Sequence, residues 1–180
     1  LRSFPPATRR VYSNVGIERA ADLVAAATAM TFASYLDESL EPLGLTATTL
    51  PGSPARDGVS SVADLARVCH ELLAPTGLLA ASTLEDLRTV QWPGLRGVLP
   101  GFGGQDPNDW GLGFEIRGHK SPHWTGRHNS PATYGHFGQS GTMFWVDPGA
   151  QLALVALADV AFGDWARAAW PALSDAVLAA

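Results

Sequence analysis

Apolar residues recur at helical spacing in the first half of the chain. An Ala-rich stretch, Val15 to Met30, favours helix by propensity despite Gly16. Thr31 then provides an N-cap for a second helix, because apolar residues follow it at helical spacing up to Pro42. The pattern therefore predicts two consecutive helices before residue 42.

Two capping boxes predict further helices. Ser61 with Asp64 precedes the clearest amphipathic stretch of the chain, and Ser82 with Glu85 precedes a shorter one that ends near residue 89. Residues 92–108 are dense in Gly and Pro, so they are predicted to form a loop between two layers.

The pattern changes to short β-prone runs from residue 110 onward. These runs cover residues 110–116, 133–138, 142–146 and 152–158. Turn residues at 147–151 predict that the last two runs form a hairpin. Asp164 is predicted to cap a final helix that contains Pro171. Helices followed by antiparallel strands and a closing helix indicate an α+β or layered α/β domain.

Composition narrows the class of protein. With 46% hydrophobic and 16% charged residues among 180, the chain can bury a core as one compact unit. A net charge of −5 with scattered arginines argues against a nucleic-acid surface. The longest apolar run, 152–158, is too short to span a membrane. Cys69 lies in an apolar helical stretch and is interpreted as a buried core thiol.

A segment near the start of the chain carries a family resemblance. Residues 4–16 read F-P-P-A-T-R-R-V-Y-S-N-V-G. This resembles the F-P-P-G-T-x-x-x-Y-S-N-x-G segment of class C β-lactamase-like serine hydrolases and penicillin-binding proteins, with Ala7 where Gly is usual. Further matching segments follow in the family's order, at residues 35–36 with 41–45, 60–66, 110–114 and 135–138.

The resemblance implies a β-lactamase/transpeptidase-like fold of the α/β (α+β) class, an antiparallel sheet flanked by helices with a helical subdomain. Residues 1–100 would then be the helical portion carrying the Tyr-x-Asn motif. Residues 101–180 would be the sheet portion, with a C-terminal helix and the His-x-Gly motif. Both would be parts of one incomplete domain.

The family's nucleophile is a serine in an S-x-x-K motif, which is acylated by the substrate and then freed by water. This motif is expected upstream of Tyr12. The only lysine, Lys120, has Arg117 three residues before it, so the motif is absent from these residues. We therefore expect the missing N-terminal portion of the same protein to be this chain's partner.

Two residues of the Y-S-N string have implied roles. Tyr12 would accept the proton of the serine and return it to the leaving group, which requires nearby cations to lower the phenol pKa. Asn14 would orient the lysine and donate to a substrate carbonyl. The alternatives are aromatic packing for Tyr12 and the N-cap of the next helix for Asn14.

The third motif contributes His136, Gly138 and Gln139. His136 stands where the family has K-T-G or H-x-G, and histidine here is closer to the esterase-like and peptidase-like branches. It would hydrogen-bond the tyrosine or a substrate carboxylate. Gly138 would let substrate backbone approach, and the N–H of Gln139 would form half of an oxyanion hole. The alternatives are a partly buried strand histidine and a glycine at a strand bend.

Two rival sites remain in the sequence. Ser140 lies in a near match to the G-x-S-x-G elbow, but Thr142 replaces the last glycine and a strand is predicted to follow. His119, His123 and His128 fit no metal-ligand spacing. Their loop, residues 118–130, is interpreted as a border of the substrate cleft or an exposed excursion. No cofactor is predicted.

The sequence thus predicts the C-terminal part of a β-lactamase-like serine hydrolase. It would act through an acyl-enzyme on an ester, amide or β-lactam carbonyl of a small-molecule or peptide substrate, which the loop at residues 92–110 would select. The alternative is a non-catalytic binding or scaffolding module with the penicillin-binding fold. The sequence gives no indication of the cellular compartment.

Overall fold

A computed structural model describes residues 4–180. Within this range the helices are α1 (Asn14–Thr28), α2 (Phe32–Leu40), α3 (Val62–Leu73), α4 (Ala81–Arg88) and α5 (Asp164–Leu178). The strands are β1 (Gly97–Leu99), β2 (Gly103–Gln105), β3 (Glu115–Ile116), β4 (Tyr134–Gly138), β5 (Thr142–Asp147) and β6 (Leu152–Leu157). This is the mixed α/β composition with antiparallel strands that the sequence predicts.

The described residues divide into two compact units. One is Ser13–Val68, and the other is Cys69–Ala180 together with the segment that ends at Tyr12. The second unit holds both sheets, a β1–β2 hairpin and an antiparallel sheet in the order β3-β4-β5-β6. The unit Ser13–Val68 contains α1 and α2, which contact each other.

The start and end of α2 confirm the predicted signals. The hydroxyl of Thr31 accepts a hydrogen bond from the N–H of Ser34 at 3.1 Å, which satisfies one free donor of the first turn. The helix continues as a 3₁₀ turn, Glu41–Leu43, and Gly44 ends it with φ of 63°. A left-handed residue at this position favours glycine because it has no Cβ.

Only half of the first predicted capping box forms. The hydroxyl of Ser61 accepts from the N–H of Asp64 at 3.1 Å, as expected. The carboxylate of Asp64 instead accepts from Ala47 N and Thr48 Oγ1, each at 2.8 Å. The acid therefore fastens the preceding connector to α3, because two donors of the connector bind its Oδ2.

The prediction of the second capping box was wrong. Helix α4 has Ala80 as its N-cap, and Ser82 lies inside its first turn. Glu85 does not reach back to the helix start, because Arg88 donates to it from Nε at 2.9 Å and from Nη2 at 2.7 Å. An i,i+3 ion pair has displaced the capping interaction.

Two strand predictions near residue 100 also need correction. The predicted loop at 92–108 contains β1 and β2, which are too short and Gly-rich to show a period of two. Conversely, the predicted strand at 110–116 is reduced to β3. Its earlier residues form a turn, because Gly111 N donates to Phe114 O at 2.9 Å. Trp110 pairs with Glu115 only as an isolated bridge.

One face of the large sheet packs against α5. The register places Gly135 opposite Trp145 and Phe137 opposite Met143, so these residues share a face. Asp164 is the first residue of α5 rather than its cap, because Gly163 occupies the N-cap, and Pro171 lies inside the helix. The core comprises Leu99, Phe102, Trp124, Phe137, Met143, Trp145, Ala166 and Trp170.

The opposite face of β4 carries Tyr134, His136 and Gly138. The hydroxyl of Tyr134 donates to Leu72 O at 3.2 Å, so the C-terminal part of α3 covers this face. Cys69, in the same part of α3, is 3% exposed, which confirms the predicted buried thiol. Burial raises its pKa to about 12. Among residues 4–180, no helix is long and apolar enough to cross a membrane.

Candidate active site

The sheet has an uncovered edge where β3 ends. Strand β3 pairs with β4 at only two positions, Glu115 with Gly135 and Ile116 with Tyr134. Residues 136–138 therefore extend beyond it. A small pocket lies there, which we call the β4-edge pocket. It is lined by Tyr12, Leu99, Pro100, Trp110, Glu115, His136, Phe137 and Gln139.

Three aromatic rings meet in the β4-edge pocket. The ring centroids of Tyr12 and His136 are 5.8 Å apart with an interplanar angle of 23°, which is a stacked arrangement. The ring of Trp110 lies 6.0 Å from Tyr12 and 5.9 Å from His136, edge-on to the imidazole. The structure thus brings together the tyrosine and the histidine of two motifs that lie far apart in sequence.

Partial burial shifts the pKa of both titratable rings, although Tyr12 is still 47% exposed. It raises the pKa of Tyr12 and lowers the pKa of His136, although the Glu115 carboxylate acts in the opposite direction on the histidine. Both rings are therefore neutral near neutral pH. The residues that line the pocket include no lysine or arginine, so they do not supply the cation that a phenol needs to become acidic.

One buried polar group of the pocket lacks a partner among the described residues. The indole N–H of Trp110 is buried with no hydrogen-bond partner within residues 4–180. Since buried polar groups are nearly always paired in folded proteins, such a group marks a place where another molecule or segment can bind.

Gly138 and Gln139 lie at the end of β4. A Cβ on Gly138 would lie 2.9 Å from Thr142 Oγ1, so glycine is the residue that fits here without a shift. The carbonyl of Gly138 accepts from Gly141 N at 3.1 Å, which fixes the orientation of the peptide that carries the N–H of Gln139. The oxyanion role of its N–H stays a prediction.

Asn14 is an exposed residue at the start of α1. The N-cap of that helix is Ser13, so Asn14 does not have the capping role considered as its alternative. It belongs to the unit Ser13–Val68, whereas Tyr12 belongs to the other unit. Its contact with lysine and substrate stays a prediction.

Ser140 does not form a nucleophile elbow. It lies in the turn between β4 and β5, and its Oγ is 3.1 Å from Thr142 Oγ1. A strand follows the turn, whereas the elbow requires a helix at that point.

A buried charged cluster lies beside the pocket, and sequence reasoning missed it. It consists of Glu115, Lys120, His123 and Trp124. Glu115 Oε1 accepts from Lys120 Nζ at 2.9 Å and from His123 Nε2 at 3.0 Å, and Oε2 accepts from Trp124 Nε1 at 2.7 Å. Of the two interpretations of the loop at 118–130, the exposed excursion was therefore wrong. One sequence signal could have indicated the cluster: Glu115 directly follows the family motif at 110–114.

The cluster fastens the segment that carries Trp110. Besides Glu115, Lys120 Nζ contacts Asp109 O at 2.8 Å and Ile116 O at 2.5 Å, which are the two ends of that segment. Burial lowers the pKa of Lys120, against the attraction of Glu115. Burial acts to raise the pKa of Glu115, but the hydrogen bonds from His123 and Lys120 and the charge of Lys120 hold it below its usual value.

The histidines of this loop have separate environments. His123 is buried, and its Nδ1 accepts from Thr125 N at 3.1 Å, whereas His119 and His128 are exposed. Across the part of the chain that the structure describes, no three His, Cys, Asp or Glu side chains are placed to hold a metal ion.

Comparison with known proteins gives one family match. The family model described as Beta-lactamase matches residues 2–178. The crystal structure of a beta-lactamase (Mb2281c) from Mycobacterium bovis superposes with a TM-score of 0.93 at 56% sequence identity. That alignment covers 97% of this chain and 65% of the Mycobacterium bovis chain.

A more distant structure shares the fold. Unliganded simvastatin synthase (LovD) from Aspergillus terreus is 16% identical with a TM-score of 0.70, and the alignment covers 97% of this chain and 55% of LovD. The chain thus spans less than two thirds of the length of both proteins. No curated protein matches the chain.

Proposed function

The chain belongs to the beta-lactamase family, and we propose that it forms the C-terminal part of a serine hydrolase that acts through an acyl-enzyme. The substrate would carry an ester, amide or β-lactam carbonyl. The observation that supports this proposal is the stacking of Tyr12 on His136, 5.8 Å apart, in a pocket at the uncovered edge of β4.

Tyr12 is the proton carrier in this proposal. It takes the proton of a serine during acylation and returns it to the leaving group. Burial raises its pKa, so a cation must come from outside the described pocket. The lysine of an S-x-x-K motif in a longer protein meets that need, because a positive charge nearby favours the phenolate.

His136 and Gln139 handle the substrate. The neutral imidazole of His136 can hydrogen-bond either the hydroxyl of Tyr12 or a polar group of the substrate. The N–H of Gln139, at the end of β4, would donate to the oxyanion together with an N–H from the serine segment. Gly138, which has no side chain, would let the substrate backbone approach the strand.

The relatives support a range of substrates rather than one. A β-lactam is a candidate because the relative at 56% identity is described as a beta-lactamase. Esters and amides are candidates because His136 occupies the position at which the family also has lysine, and a neutral ring does not require an anionic partner. We therefore propose acyl transfer to water without choosing among these carbonyls.

Labelling with a fluorophosphonate and a penicillin, read by intact mass, tests the proposal. The 180-residue chain alone should stay at 18.9 kDa, because it has no S-x-x-K serine. The full-length protein should gain an adduct on that serine. Tyr12→Phe should slow acylation by about 10²–10⁴-fold, since general acid–base catalysis contributes that much. Tyr35→Phe, at a tyrosine of the other unit, is the matched control.

The alternative is a binding or scaffolding module that keeps the fold without turnover. One observation favours it, namely that the described residues raise the pKa of Tyr12 instead of lowering it. A full-length protein that has an intact S-x-x-K motif yet forms no adduct with either reagent would exclude the hydrolase and support this module.

A further inference from the structure

Arg10 lies two residues before Tyr12, and its side chain binds the backbone of two other segments. Its Nη2 donates to Gln91 O at 2.6 Å, and its Nε donates to Asn108 O at 3.3 Å. Nη2 also lies 3.5 Å from Trp92 O. A guanidinium can make these contacts together because it carries several N–H donors in a rigid plane. We call this arrangement the Arg10 clamp.

The backbone of Arg10 is fixed as well. Arg10 N donates to Arg96 O at 2.9 Å, and Arg10 forms a parallel bridge with Gly97 of β1. Among residues 4–180, neither Val11 nor Tyr12 takes part in a backbone hydrogen bond. Arg10 is therefore the fixed point that lies nearest to Tyr12 on the N-terminal side of the tyrosine.

The segments that the Arg10 clamp binds also hold Trp110, the third ring of the β4-edge pocket. Gln91 N donates to Trp110 O at 2.8 Å, and Asn108 precedes Trp110 by two residues. Two residues of extended chain span at most about 7 Å, and the same short reach separates Arg10 from Tyr12. The clamp thus joins the segment of Tyr12 to the segment of Trp110, and the two rings lie 6.0 Å apart in the pocket.

The neighbouring arginine makes no comparable contacts. Arg9 is exposed, whereas Arg10 is half-buried. The guanidinium of Arg9 packs over the Phe4 ring at 4.5 Å, on its own segment of the chain. Arg9 therefore carries the same charge one residue further from Tyr12 without joining the segment to another, which makes it a matched control.

We propose that Arg10 is a positioning residue for Tyr12, because it holds the segment of the tyrosine against the segment of Trp110. Arg10 does not line the β4-edge pocket, so it acts through Tyr12 and not on the substrate. This inference rests on the proposed function, in which Tyr12 carries the proton. Displacing a catalytic group by about 1 Å can cost about 10²-fold in rate, so a clamp two residues away can affect the chemistry.

Arg10→Lys tests the position of Tyr12 on the 180-residue chain. Lysine keeps the charge, but it has a single nitrogen where the guanidinium uses two for separate carbonyls. With ¹³C-labelled tyrosine, the unaltered chain should give an NOE between the rings of Tyr12 and His136, and Arg10→Lys should lose it. Tyr12→Phe assigns the signal among the three tyrosines of the chain.

Tyr134 provides an internal control for folding in the same spectra. Its ring lies 5.6 Å from the Phe114 ring, in the same unit but outside the residues that line the pocket. That NOE should stay in Arg10→Lys, and Arg9→Lys should keep both NOEs.

Two outcomes of this experiment would overturn the proposal. An unchanged NOE between Tyr12 and His136 in Arg10→Lys would mean that the clamp does not set the position of the tyrosine. Loss of both NOEs would mean that Arg10 supports the whole unit and has no specific role at Tyr12.

Labelling of the full-length protein by the fluorophosphonate tests the effect on chemistry. Arg10→Lys should slow labelling about 10–100-fold, and Arg9→Lys should leave it unchanged. In the Tyr12→Phe background, Arg10→Lys should have no further effect, because a residue that acts only through Tyr12 loses its effect with the phenol hydroxyl. Equal slowing in both backgrounds would contradict positioning of Tyr12. If the unaltered protein is not labelled, the hydrolase proposal fails, while the NOE still decides whether Arg10 positions the tyrosine.

Discussion

The β4-edge pocket and the buried charged cluster are neighbours, but they differ in whether their polar groups are hydrogen-bonded. In the cluster, both oxygens of Glu115 and the ammonium of Lys120 are hydrogen-bonded inside the protein. In the pocket, the indole N–H of Trp110 has no partner among residues 4–180. A fully satisfied network rigidifies its surroundings, whereas unpartnered groups can bind another molecule.

This difference indicates that the cluster supports the structure, whereas the pocket is the candidate active site. The cluster contains the larger number of charges, and charge alone would have indicated it as the active site. Its groups, however, are directed at one another and at the backbone. Its effect on the pocket is indirect, because Lys120 holds both ends of the segment that carries Trp110.

The largest expected effect comes from breaking the cluster. Glu115→Gln leaves the Lys120 ammonium buried without its counter-charge, and such a loss costs about 3–5 kcal/mol. Urea unfolding of the 180-residue chain measures it. The double variant Glu115→Met/Lys120→Met should recover most of that free energy of unfolding, because it removes both charges. A single variant that loses less than about 1 kcal/mol would contradict the supporting role of the cluster.

Three Trp→Phe variants test the same comparison, with smaller expected losses in the free energy of unfolding. Trp124 donates to the Glu115 carboxylate at 2.7 Å, Trp145 to the Ser174 hydroxyl at 3.0 Å, and Trp110 has no described acceptor. Loss of a buried bond to a charged group leaves that group unsatisfied. Trp124→Phe should therefore cost about 1–3 kcal/mol more than Trp110→Phe.

Trp145→Phe controls for burial in that set, because Trp145 and Trp124 are 0% and 1% exposed. Its free energy of unfolding, from the same urea titrations, should fall between the other two values, since a bond to a neutral hydroxyl is weaker. Equal costs for all three variants would mean that volume, not hydrogen bonding, distinguishes the two regions.

The smallest expected effect is on the pH dependence of stability. Burial lowers the pKa of His123 and of His136, so the unfolded chain binds more protons below its own histidine pKa of about 6.5. The free energy of unfolding should therefore fall as the pH decreases below about 6.5 and be constant above it. The lowered pKa of Glu115 adds a loss only at more acidic pH, below about 4.3.

Urea midpoints between pH 8 and 5.5 test this slope. His123→Gln should flatten it most, because the side chain is 3% exposed, and His136→Gln should flatten it less. His119→Gln, at an exposed position, is the control and should keep the slope of the unaltered chain. A slope that neither His123→Gln nor His136→Gln changes would contradict neutral buried histidines at both places.

Prediction from sequence succeeded where a local signal was strong. The hydrophobic pattern identified β4, β5, β6 and the helices, and the Thr31 cap marked the start of α2. Local signals failed where a partner from elsewhere competed. Arg88 donates to the Glu85 carboxylate, which therefore does not form its predicted cap. Donors of the connector bind the Asp64 carboxylate in the same way.

The candidate site was only partly predictable for the same reason. Motif order pointed to Tyr12 and His136, and the structure brings their rings to one pocket. Glu115 and Trp110 were not singled out, because neither residue type nor spacing indicates which polar groups will find a partner. The strand at 110–116 also looked longer in sequence than it is, which hid the uncovered edge of β4.

The sequence by itself determined the family and the order of the helices and of β4, β5 and β6. These depend on periodicity and on short motifs, which are properties of neighbouring residues. Only the tertiary structure decided which charges are paired and which stay available. Glu115, Lys120 and His123 meet because an irregular loop folds back on β3. Hydrogen bonding depends on distances between residues that no local pattern encodes.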